Sequence, residues 1–211
     1  MKDIIVVDKP SGPTSHDICQ IFKRKLGAKK VGHAGTLDPL ASGVLILLIN
    51  DATKRQQEFL GADKEYLFTM KLGIATDTYD SQGKVVSEVP LEDVIQSVAK
   101  NPVASLLPQF TGEIIQTPPA YSALKKNGVP LYKLARAGKK VEPTPRKITV
   151  YSLEIVSENF PEITLKARCS SGTYVRSIAH DIGQKLGCGA HITALRRLRS
   201  EPFGIEEAMP V

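Results

Sequence analysis

The 211-residue sequence has no tryptophan, only three cysteines and only four histidines. Three cysteines without a Cys-x-x-Cys pair disfavour both a disulfide framework and a zinc site, and the histidines lack metal-ligand spacing. No apolar run approaches the roughly 20 residues that span a bilayer, and the N-terminus lacks the apolar segment of a secretory signal. We therefore predict a cytoplasmic globular protein without a membrane segment or a bound metal.

The formal net charge is +6 and the sequence pI is about 9.2, so the distribution of charge matters more than its total. Basic residues form three clusters: Lys23, Arg24, Lys25, Lys29 and Lys30; Lys125, Lys126, Lys133, Arg136, Lys139, Lys140, Arg146 and Lys147; and Arg196, Arg197 and Arg199. A single cluster is usually a solvated face, but three in one small protein favour a polyanionic partner. Nucleic acid is favoured over a membrane because no basic helix carries a large apolar face.

The apolar pattern changes between strand and helix periods along the chain. A continuous apolar run predicts a buried strand over residues 44–49, and alternation predicts a second strand over 66–72. Capped apolar stripes predict helices over 14–27 and 173–187, and a further helix is predicted over 51–60. Because regular βαβ spacing and internal repeats are absent from the sequence, we predict a mixed α+β fold, with a largely antiparallel sheet flanked by helices.

One segment departs from this pattern. Residues 109–144 are rich in proline, glycine and lysine, and their patterning is helical only over 131–137. We interpret this segment as a basic insertion over the core of a single domain spanning residues 1–211, rather than as a linker between domains.

Residues 32–43, Gly-His-Ala-Gly-Thr-Leu-Asp-Pro-Leu-Ala-Ser-Gly, form a glycine-bracketed polar segment that leads into the predicted buried strand. Glycine permits backbone angles that other residues avoid, and Pro39 keeps the preceding residue out of the helical region. Asp38 is therefore presented on a stiffened turn beside a buried strand. An isolated Asp-Pro pair is usually a plain surface turn, so the pair alone does not indicate a site.

The whole twelve-residue segment resembles the catalytic motif of the TruB family of tRNA pseudouridine synthases. Other segments resemble further motifs of this family, in the family's order: Lys-Pro-Ser-Gly-Pro-Thr-Ser at 9–15, Lys-Glu-Tyr at 64–66, Pro-Pro-Ala-Tyr-Ser-Ala-Leu-Lys at 118–125, Cys-Ser-Ser-Gly-Thr-Tyr-Val-Arg at 169–176 and Leu-Arg-Arg-Leu at 195–198. Each motif alone is a weak signal, but their common order over about residues 3–203 is hard to obtain by chance.

The resemblance implies the pseudouridine synthase fold and the isomerisation of a uridine in tRNA without a cofactor. The N1–C1′ glycosidic bond breaks, the uracil turns while it is held, and C5 bonds to C1′. Glycosidases use two carboxylates, but one at the sugar can suffice here because uracil leaves as a stable anion. The resemblance assigns this catalytic role to Asp38. Covalent attack on C1′ and removal of a sugar proton both stay open.

The resemblance also assigns six residues to substrate binding: Lys9, His33, Tyr66, Tyr174, Arg176 and Leu195. Tyr66 would stack on the base, Arg176 would pair with Asp38 and keep it ionised, and Lys9 would contact phosphate or brace the Asp38 loop. Each has a plain alternative: Tyr66 as a core aromatic, Arg176 as a solvent-facing helix residue and Lys9 as a surface lysine.

The other three residues would surround the extruded nucleotide. His33 would lie near the entry and stack where the nucleotide leaves the RNA. Tyr174 and Leu195 would line the uracil pocket. A loop histidine without a role, and ordinary packing for the other two, are the alternatives.

Five basic residues are expected to contact RNA phosphates: Lys125, Lys126, Lys133, Arg136 and Arg146. Such contacts add affinity and salt dependence rather than sequence choice. The expected substrate is the T-arm stem-loop of tRNA, modified at the uridine conventionally numbered 55. We expect a monomer that needs no obligate protein partner.

Family members commonly continue into a C-terminal PUA domain, whereas this sequence ends about a dozen residues after Arg199. We therefore predict no PUA domain. The sequence is then either a minimal form of the family or a shortened one. The alternative function is a non-catalytic RNA-binding or tRNA-folding protein on the same scaffold. The presence of Asp38, Tyr66 and Arg176 disfavours it, because a protein that only binds RNA needs none of them.

Overall fold

The structure, a computed structural model, describes residues 3–211. The α-helices are α1 (Ser15–Leu26), α2 (Gln56–Leu60), α3 (Leu91–Lys100), α4 (Val103–Leu106), α5 (Leu131–Arg136) and α6 (Val175–Leu186). Short 3-10 helices cover Asn50–Arg55, Leu107–Phe110 and Ile205–Glu207. The strands are β1 (Ile4–Lys9), β2 (Val31–Ala34), β3 (Ser42–Ile49), β4 (Lys64–Leu72), β5 (Ile74–Thr76), β6 (Val85–Glu88), β7 (Gly112–Gln116), β8 (Lys125–Lys126), β9 (Val129–Pro130), β10 (Arg146–Asn159), β11 (Glu162–Cys169), β12 (Ala190–Ser200), β13 (Phe203–Gly204) and β14 (Met209–Pro210).

The fold is mixed α+β, as predicted. Within residues 3–211, ten strands belong to the main sheet, and β5–β6 and β8–β9 form two small sheets. The pairs β1–β3, β2–β3, β7–β10 and β12–β13 are antiparallel, whereas β1–β14 and β3–β12 are parallel. The predicted largely antiparallel sheet is therefore confirmed.

The chain divides into two compact units. The first unit comprises residues 3–67, Arg168–Ser171 and Ala194–Val211, and the second comprises Phe68–Ala167 and Gly172–Thr193. The single domain predicted over residues 1–211 stays a prediction.

Strand β3 is the centre of the first unit. Its residues Val44 to Ile49 are at most 2% exposed, which confirms the predicted buried strand. β3 pairs with β1 up to the partners Lys9 and Gly43, with β2 up to Ala34 and Ile46, and with β12 at Arg197 and Gly43. The loop between β2 and β3 therefore emerges where β1 ends at Lys9 and where β12 carries Arg197.

Helix α1 begins and ends where its sequence predicts. The Thr14 side chain accepts a hydrogen bond from the Asp17 backbone N–H (3.1 Å), and the Asp17 carboxylate accepts one from the Thr14 N–H (2.8 Å). This reciprocal capping box satisfies two donors of the first turn. Gly27 ends the helix in the left-handed conformation (φ 60°), so the helix predicted over 14–27 is confirmed.

The segment predicted as a helix over residues 51–60 is helical, but only its second half is an α-helix. A 3-10 helix covers Asn50–Arg55, and only Gln56–Leu60 is α-helical. Asn50 has a φ of 48°, and the Thr53 hydroxyl donates to the Asn50 carbonyl (2.7 Å). This local side-chain bond competes with the regular helical pattern and favours a tighter turn.

Helix α6 supplies the buried apolar stripe of the second unit. Val175, Ile178, Ile182 and Leu186 are all buried, and Gly187 ends the helix with a φ of 78°, so the helix predicted over 173–187 is confirmed. The segment interpreted as an insertion, residues 109–144, contains the hairpin β8–β9 and α5, and α5 confirms the helix predicted there. It also contains β7, which pairs with β10 in the main sheet.

Candidate active site

The loop between β2 and β3 presents Asp38 in the first unit. The Ala41 N–H donates to the Asp38 carbonyl (3.0 Å), which closes a turn around Pro39 and Leu40. The Pro39 carbonyl accepts a further hydrogen bond from the Gly12 N–H (2.8 Å). Asp38 itself is half-buried. The stiffened turn predicted from the sequence is therefore present, with its carboxylate at the edge of a buried strand.

Two buried side chains from other elements brace this loop. Ser15 donates its hydroxyl to the Leu37 carbonyl (3.1 Å) and accepts from the Leu37 N–H (2.9 Å). The fully buried Lys9 ammonium donates to the carbonyls of Ala41 (2.6 Å), Pro10 (2.8 Å) and Pro39 (3.4 Å). Of the two roles expected for Lys9, its contacts are those of the brace.

Burial lowers the pKa of Lys9 to about 8, and the negative charge of Asp38 opposes that shift. Lys9 is still mostly protonated at neutral pH. A protonated ammonium has three N–H donors, which matches the three carbonyls around it. Lys9, at the end of β1, is therefore electrostatically coupled to Asp38 in the loop that it braces.

Arg197 is buried against the Asp38 loop, a position that the sequence did not predict. Its position in a basic cluster favoured a surface contact with a polyanion, but its side chain is 1% exposed, so that interpretation is wrong for Arg197. Its Nε donates to the Val44 carbonyl (2.8 Å) and its Nη2 to the Gly35 carbonyl (2.9 Å). The strand period could have predicted this burial, because residues i and i+2 of a strand share a face and Arg197 therefore shares the face of the buried Leu195.

The neighbouring arginines of β12 also have partners within the first unit. Arg196 pairs with Asp8 (2.6 Å), and Arg199 pairs with Glu206 (2.8 Å). Both pairs are partly exposed. All three arginines of this cluster therefore have partners within the protein.

Tyr66 lies in β4 and is half-buried. Burial raises the pKa of its phenol, while the charge of Arg197 and a hydrogen bond from Arg197 act in the opposite direction. The phenol is therefore protonated at neutral pH, and its oxygen lies next to the guanidinium that also holds the Asp38 loop.

His33 and Leu195 complete the predicted residues of the first unit. His33 lies in β2, where burial and the charge of Arg197 lower its pKa, so the ring is neutral at pH 7. Its Nδ1 is buried and has no hydrogen-bond partner among residues 3–211. Leu195 is buried on β12. The His33 ring is therefore neutral and carries one buried nitrogen without a hydrogen-bond partner among the described residues.

Tyr174 is held by a buried amide in the second unit. Gln116, only 1% exposed, accepts from the Tyr174 N–H (2.8 Å) and donates to the Tyr174 carbonyl (3.0 Å). The Arg146 guanidinium lies over the Tyr174 ring, 4.9 Å from its centroid, and donates to the Gly172 carbonyl. Arg146 therefore orients Tyr174, a contact that its predicted role as a phosphate ligand did not anticipate.

Arg176 is buried in the first turn of α6, with its side chain 4% exposed. It donates to the carbonyls of Thr78 (2.6 Å) and Tyr121 (2.9 Å) and lies 3.6 Å from the Asp80 carboxylate. The alternative of a solvent-facing helix arginine is therefore excluded. Its pairing with Asp38 stays a prediction.

The basic residues of the insertion are mostly exposed. Lys125 and Lys126 lie on β8, and Lys133 and Arg136 lie on α5, where Arg136 contacts the Tyr132 ring. A cavity of about 370 Å³ opens beside β8, lined by Leu124, Lys125, Lys126, Leu131, Pro145 and Arg146 among others. The lining combines cationic groups with apolar surface, which suits both the phosphate and the base of a nucleotide.

Within the described range, no group of three or more His, Cys, Asp or Glu residues could hold a metal ion. All three cysteines are buried, and none of them forms a disulfide within residues 3–211. No helix within residues 3–211 is both long and apolar enough to cross a bilayer.

Two family models match consecutive segments of the chain, together residues 23–211. The N-terminal domain of the TruB family of pseudouridylate synthases matches residues 23–175, and the C-terminal domain of tRNA pseudouridylate synthase B matches residues 176–211. The chain belongs to the TruB family. The first match contains Asp38, Tyr66 and Tyr174, and the second contains Arg176 and Arg197.

Curated TruB relatives are similar over nearly the whole chain. The tRNA pseudouridine synthase B of Syntrophotalea carbinolica is 50% identical over 99% of this chain and 67% of its own length. That of Aquifex aeolicus is 50% identical over 99% of this chain and 72% of its own length, and that of Opitutus terrae is 47% identical over 98% and 84%. The chain thus spans about two thirds or more of these relatives.

Solved structures support the TruB fold. A chain of a Cbf5–Nop10–Gar1 complex is 34% identical with a TM-score of 0.70, over 99% of this chain and 52% of that chain. A chain of an H/ACA RNP bound to a substrate RNA containing 2′-deoxyuridine is 33% identical with a TM-score of 0.67, over 98% and 50%. This chain spans about half the length of both.

Proposed function

We propose that this protein is a tRNA pseudouridine synthase that isomerises the T-loop uridine at position 55, with Asp38 as its catalytic residue. One observation carries the proposal: three buried side chains donate hydrogen bonds to backbone carbonyls of the Asp38 loop. These side chains are Ser15, Lys9 and Arg197. A surface Asp-Pro turn needs no such support. The names of the curated relatives supply the substrate, tRNA.

The chemistry needs one fixed carboxylate at the ribose. During the isomerisation the N1–C1′ bond breaks and a C5–C1′ bond forms, so the base must turn without leaving. Asp38 acts at the sugar either by attacking C1′ or by removing a sugar proton. Both routes gain from a carboxylate held in a reactive geometry before the substrate arrives, because the ordering entropy is then already lost.

The other residues of the first unit suit the holding of an extruded base. Tyr66 offers an aromatic face and a protonated hydroxyl, Leu195 offers apolar surface, and His33 offers a neutral ring at β2. Enzymes that act on a base within RNA take it out of its stack and hold it between aromatic and apolar groups. Lys9 serves this site by bracing the Asp38 loop.

In the second unit, we propose that Tyr174 lines the uracil pocket and that Arg176 pairs with Asp38. Both are pre-ordered, Tyr174 by Gln116 and Arg146, and Arg176 by the carbonyls of Thr78 and Tyr121. A rigid side chain loses less entropy when it binds substrate.

The T-arm stem-loop meets the exposed cations of the insertion in this proposal. Lys125, Lys126, Lys133 and Arg136 contact backbone phosphates, and Arg146 contributes through its position at the cavity beside β8. The protein acts in the cytoplasm as a monomer without an obligate protein partner, unlike the complexes in which the Cbf5 structures were solved.

Tritium release tests the proposed substrate. A T-arm stem-loop carrying uridine tritiated at C5 is incubated with the protein, because C5 loses its hydrogen when it bonds to C1′. The control RNA has cytidine in place of the target uridine and keeps its other labelled uridines. We expect stoichiometric release from the first RNA and only background from the control. Binding of the stem-loop without any release would instead favour the non-catalytic RNA-binding alternative.

A further inference from the structure

We propose that Arg197 is the positioning residue for Asp38, because its buried guanidinium ties together the two ends of the Asp38 loop. This inference rests on the proposed function, since it assigns the geometry of that catalytic loop to one side chain. Arg197 is called a positioning residue because it acts through the loop and not on the substrate.

The hydrogen bonds of Arg197 reach both ends of the loop. Its Nη2 donates to the carbonyl of Gly35, where β2 has just ended, and its Nε donates to the carbonyl of Val44, within β3. Asp38 lies between these two anchors. A planar guanidinium offers donors in a fixed fork, whereas a lysine ammonium is a single flexible point of contact. Only arginine therefore fixes the separation of the two carbonyls.

The glycines at the loop ends fit this arrangement. Gly35 has a φ of +79°, and a Cβ there would lie 3.3 Å from Nη1 of Arg197. Gly43 has a φ of +102°, and a Cβ there would lie 2.1 Å from the Arg197 carbonyl oxygen, which is an impossible approach. The two glycines thus allow the side chain and the backbone of Arg197 to pack directly against the loop.

The same cation acts on the other residues of this site. The charge of Arg197 lowers the pKa of His33 and opposes the burial-driven rise in the pKa of Tyr66. It also contributes to the lowered pKa of Lys9. Arg197 is therefore placed where the Asp38 loop, the Tyr66 phenol and the brace from Lys9 come together.

The consequence is kinetic. A misplacement of about 1 Å in a catalytic group costs on the order of 10²-fold in rate. In Arg197→Lys, the charge stays but the fork is lost, so kcat should fall by roughly that factor. KM should change little, because the Arg197 side chain is buried. The matched control is Arg199→Lys on the same strand, where the arginine pairs with Glu206 outside the loop.

A spectroscopic signal separates positioning from general stability. In protein labelled with ¹³Cζ-tyrosine, the Tyr66 resonance is assigned from its loss in Tyr66→Phe. We expect it to shift in folded Arg197→Lys, because its hydrogen bond from Arg197 changes, and to stay unchanged in Arg199→Lys. No RNA is needed, so this readout is valid even if the proposed substrate is wrong.

If Arg197→Lys does not fold, Gly35→Ala replaces it, since the added methyl group would lie 3.3 Å from Nη1 of Arg197 and push the guanidinium by a few tenths of an ångström. Its control is Gly187→Ala, which has nearly the same φ (+78°) and no atom within 4 Å of the added carbon. A lower kcat for Gly35→Ala than for Gly187→Ala supports the proposal. Unchanged kcat in Arg197→Lys or Gly35→Ala, while the wild type is active, overturns it and leaves the proposed function intact.

Discussion

Lys9 brings an ammonium group into the interior of the first unit, where it is fully buried and donates to three backbone carbonyls. Burial of a charge is unfavourable, and it lowers the pKa of Lys9 from 10.5 to about 8. The unfolded chain therefore binds this proton more tightly than the folded protein does. The folded state gains stability as the pH rises between these two values.

This linkage predicts how stability depends on pH. We expect the unfolding free energy of the wild type, relative to Lys9→Met, to increase from pH 8 to pH 10.5 by at most about 3 kcal/mol. Urea denaturation at several pH values measures it. Lys54→Met is the control, since Lys54 is exposed and its partner Asp51 raises its pKa, so that variant should show no such increase. A flat difference for Lys9→Met would contradict the buried, shifted ammonium.

At the residue scale, some functional positions were predictable and others were not. The presentation of Asp38 follows from local chemistry, because glycine and proline restrict the backbone around it. The burial of Lys9 and Arg197 does not follow from local chemistry, because lysine and arginine are almost always exposed. Only the paired strands β1, β3 and β12, which are distant in sequence, place these two cations against one loop.

The elements with the strongest local signals are the ones confirmed at their ends. Helix α1 has a capping box at Thr14 and a left-handed glycine at Gly27, and α6 ends at Gly187 in the same way. The segment over 51–60 has no such box, and the Thr53 hydroxyl bond to Asn50 tightens its first turn. Periodicity thus predicts which segments form helices. Capping chemistry predicts both ends of α1 and the C-terminal end of α6, whereas the Tyr174 side chain at the start of α6 makes no capping hydrogen bond to the described residues.

The hairpin β8–β9 carries the exposed pair Lys125 and Lys126, for which binding is the predicted role. In Lys125→Glu/Lys126→Glu we expect weaker binding of the T-arm stem-loop. The slope of log affinity against log salt should flatten by about 1.4 to 1.8, because roughly 0.7 to 0.9 counterions are released for each of the two lost phosphate contacts.

The control for this prediction is Lys84→Glu/Lys100→Glu, which makes the same change in net charge at exposed lysines outside the basic clusters. It should keep nearly the full slope. Equal slopes for the two double variants, measured by titration at several salt concentrations, would show that a general field and not the hairpin attracts the RNA.

At the scale of the whole molecule, the family and the fold were predictable because several motifs occur in one order over about residues 3–203. The TruB models then match residues 23–211, and curated relatives near 50% identity cover almost the entire chain. A net charge of +6 and three basic clusters pointed to a nucleic-acid partner, but only part of that charge faces solvent. Lys9, Lys64, Arg176 and Arg197 are buried, and Arg196 and Arg199 are paired with carboxylates.

The role of Asp38 is tested most directly by tritium release from the T-arm stem-loop with Asp38→Asn. This near-isosteric change removes the carboxylate charge and keeps the turn, so we expect release to fall to background while the RNA still binds. The control Asp51→Asn alters an exposed carboxylate of the same unit and should release tritium at the wild-type rate. Release by Asp38→Asn at that same rate would contradict catalysis by Asp38.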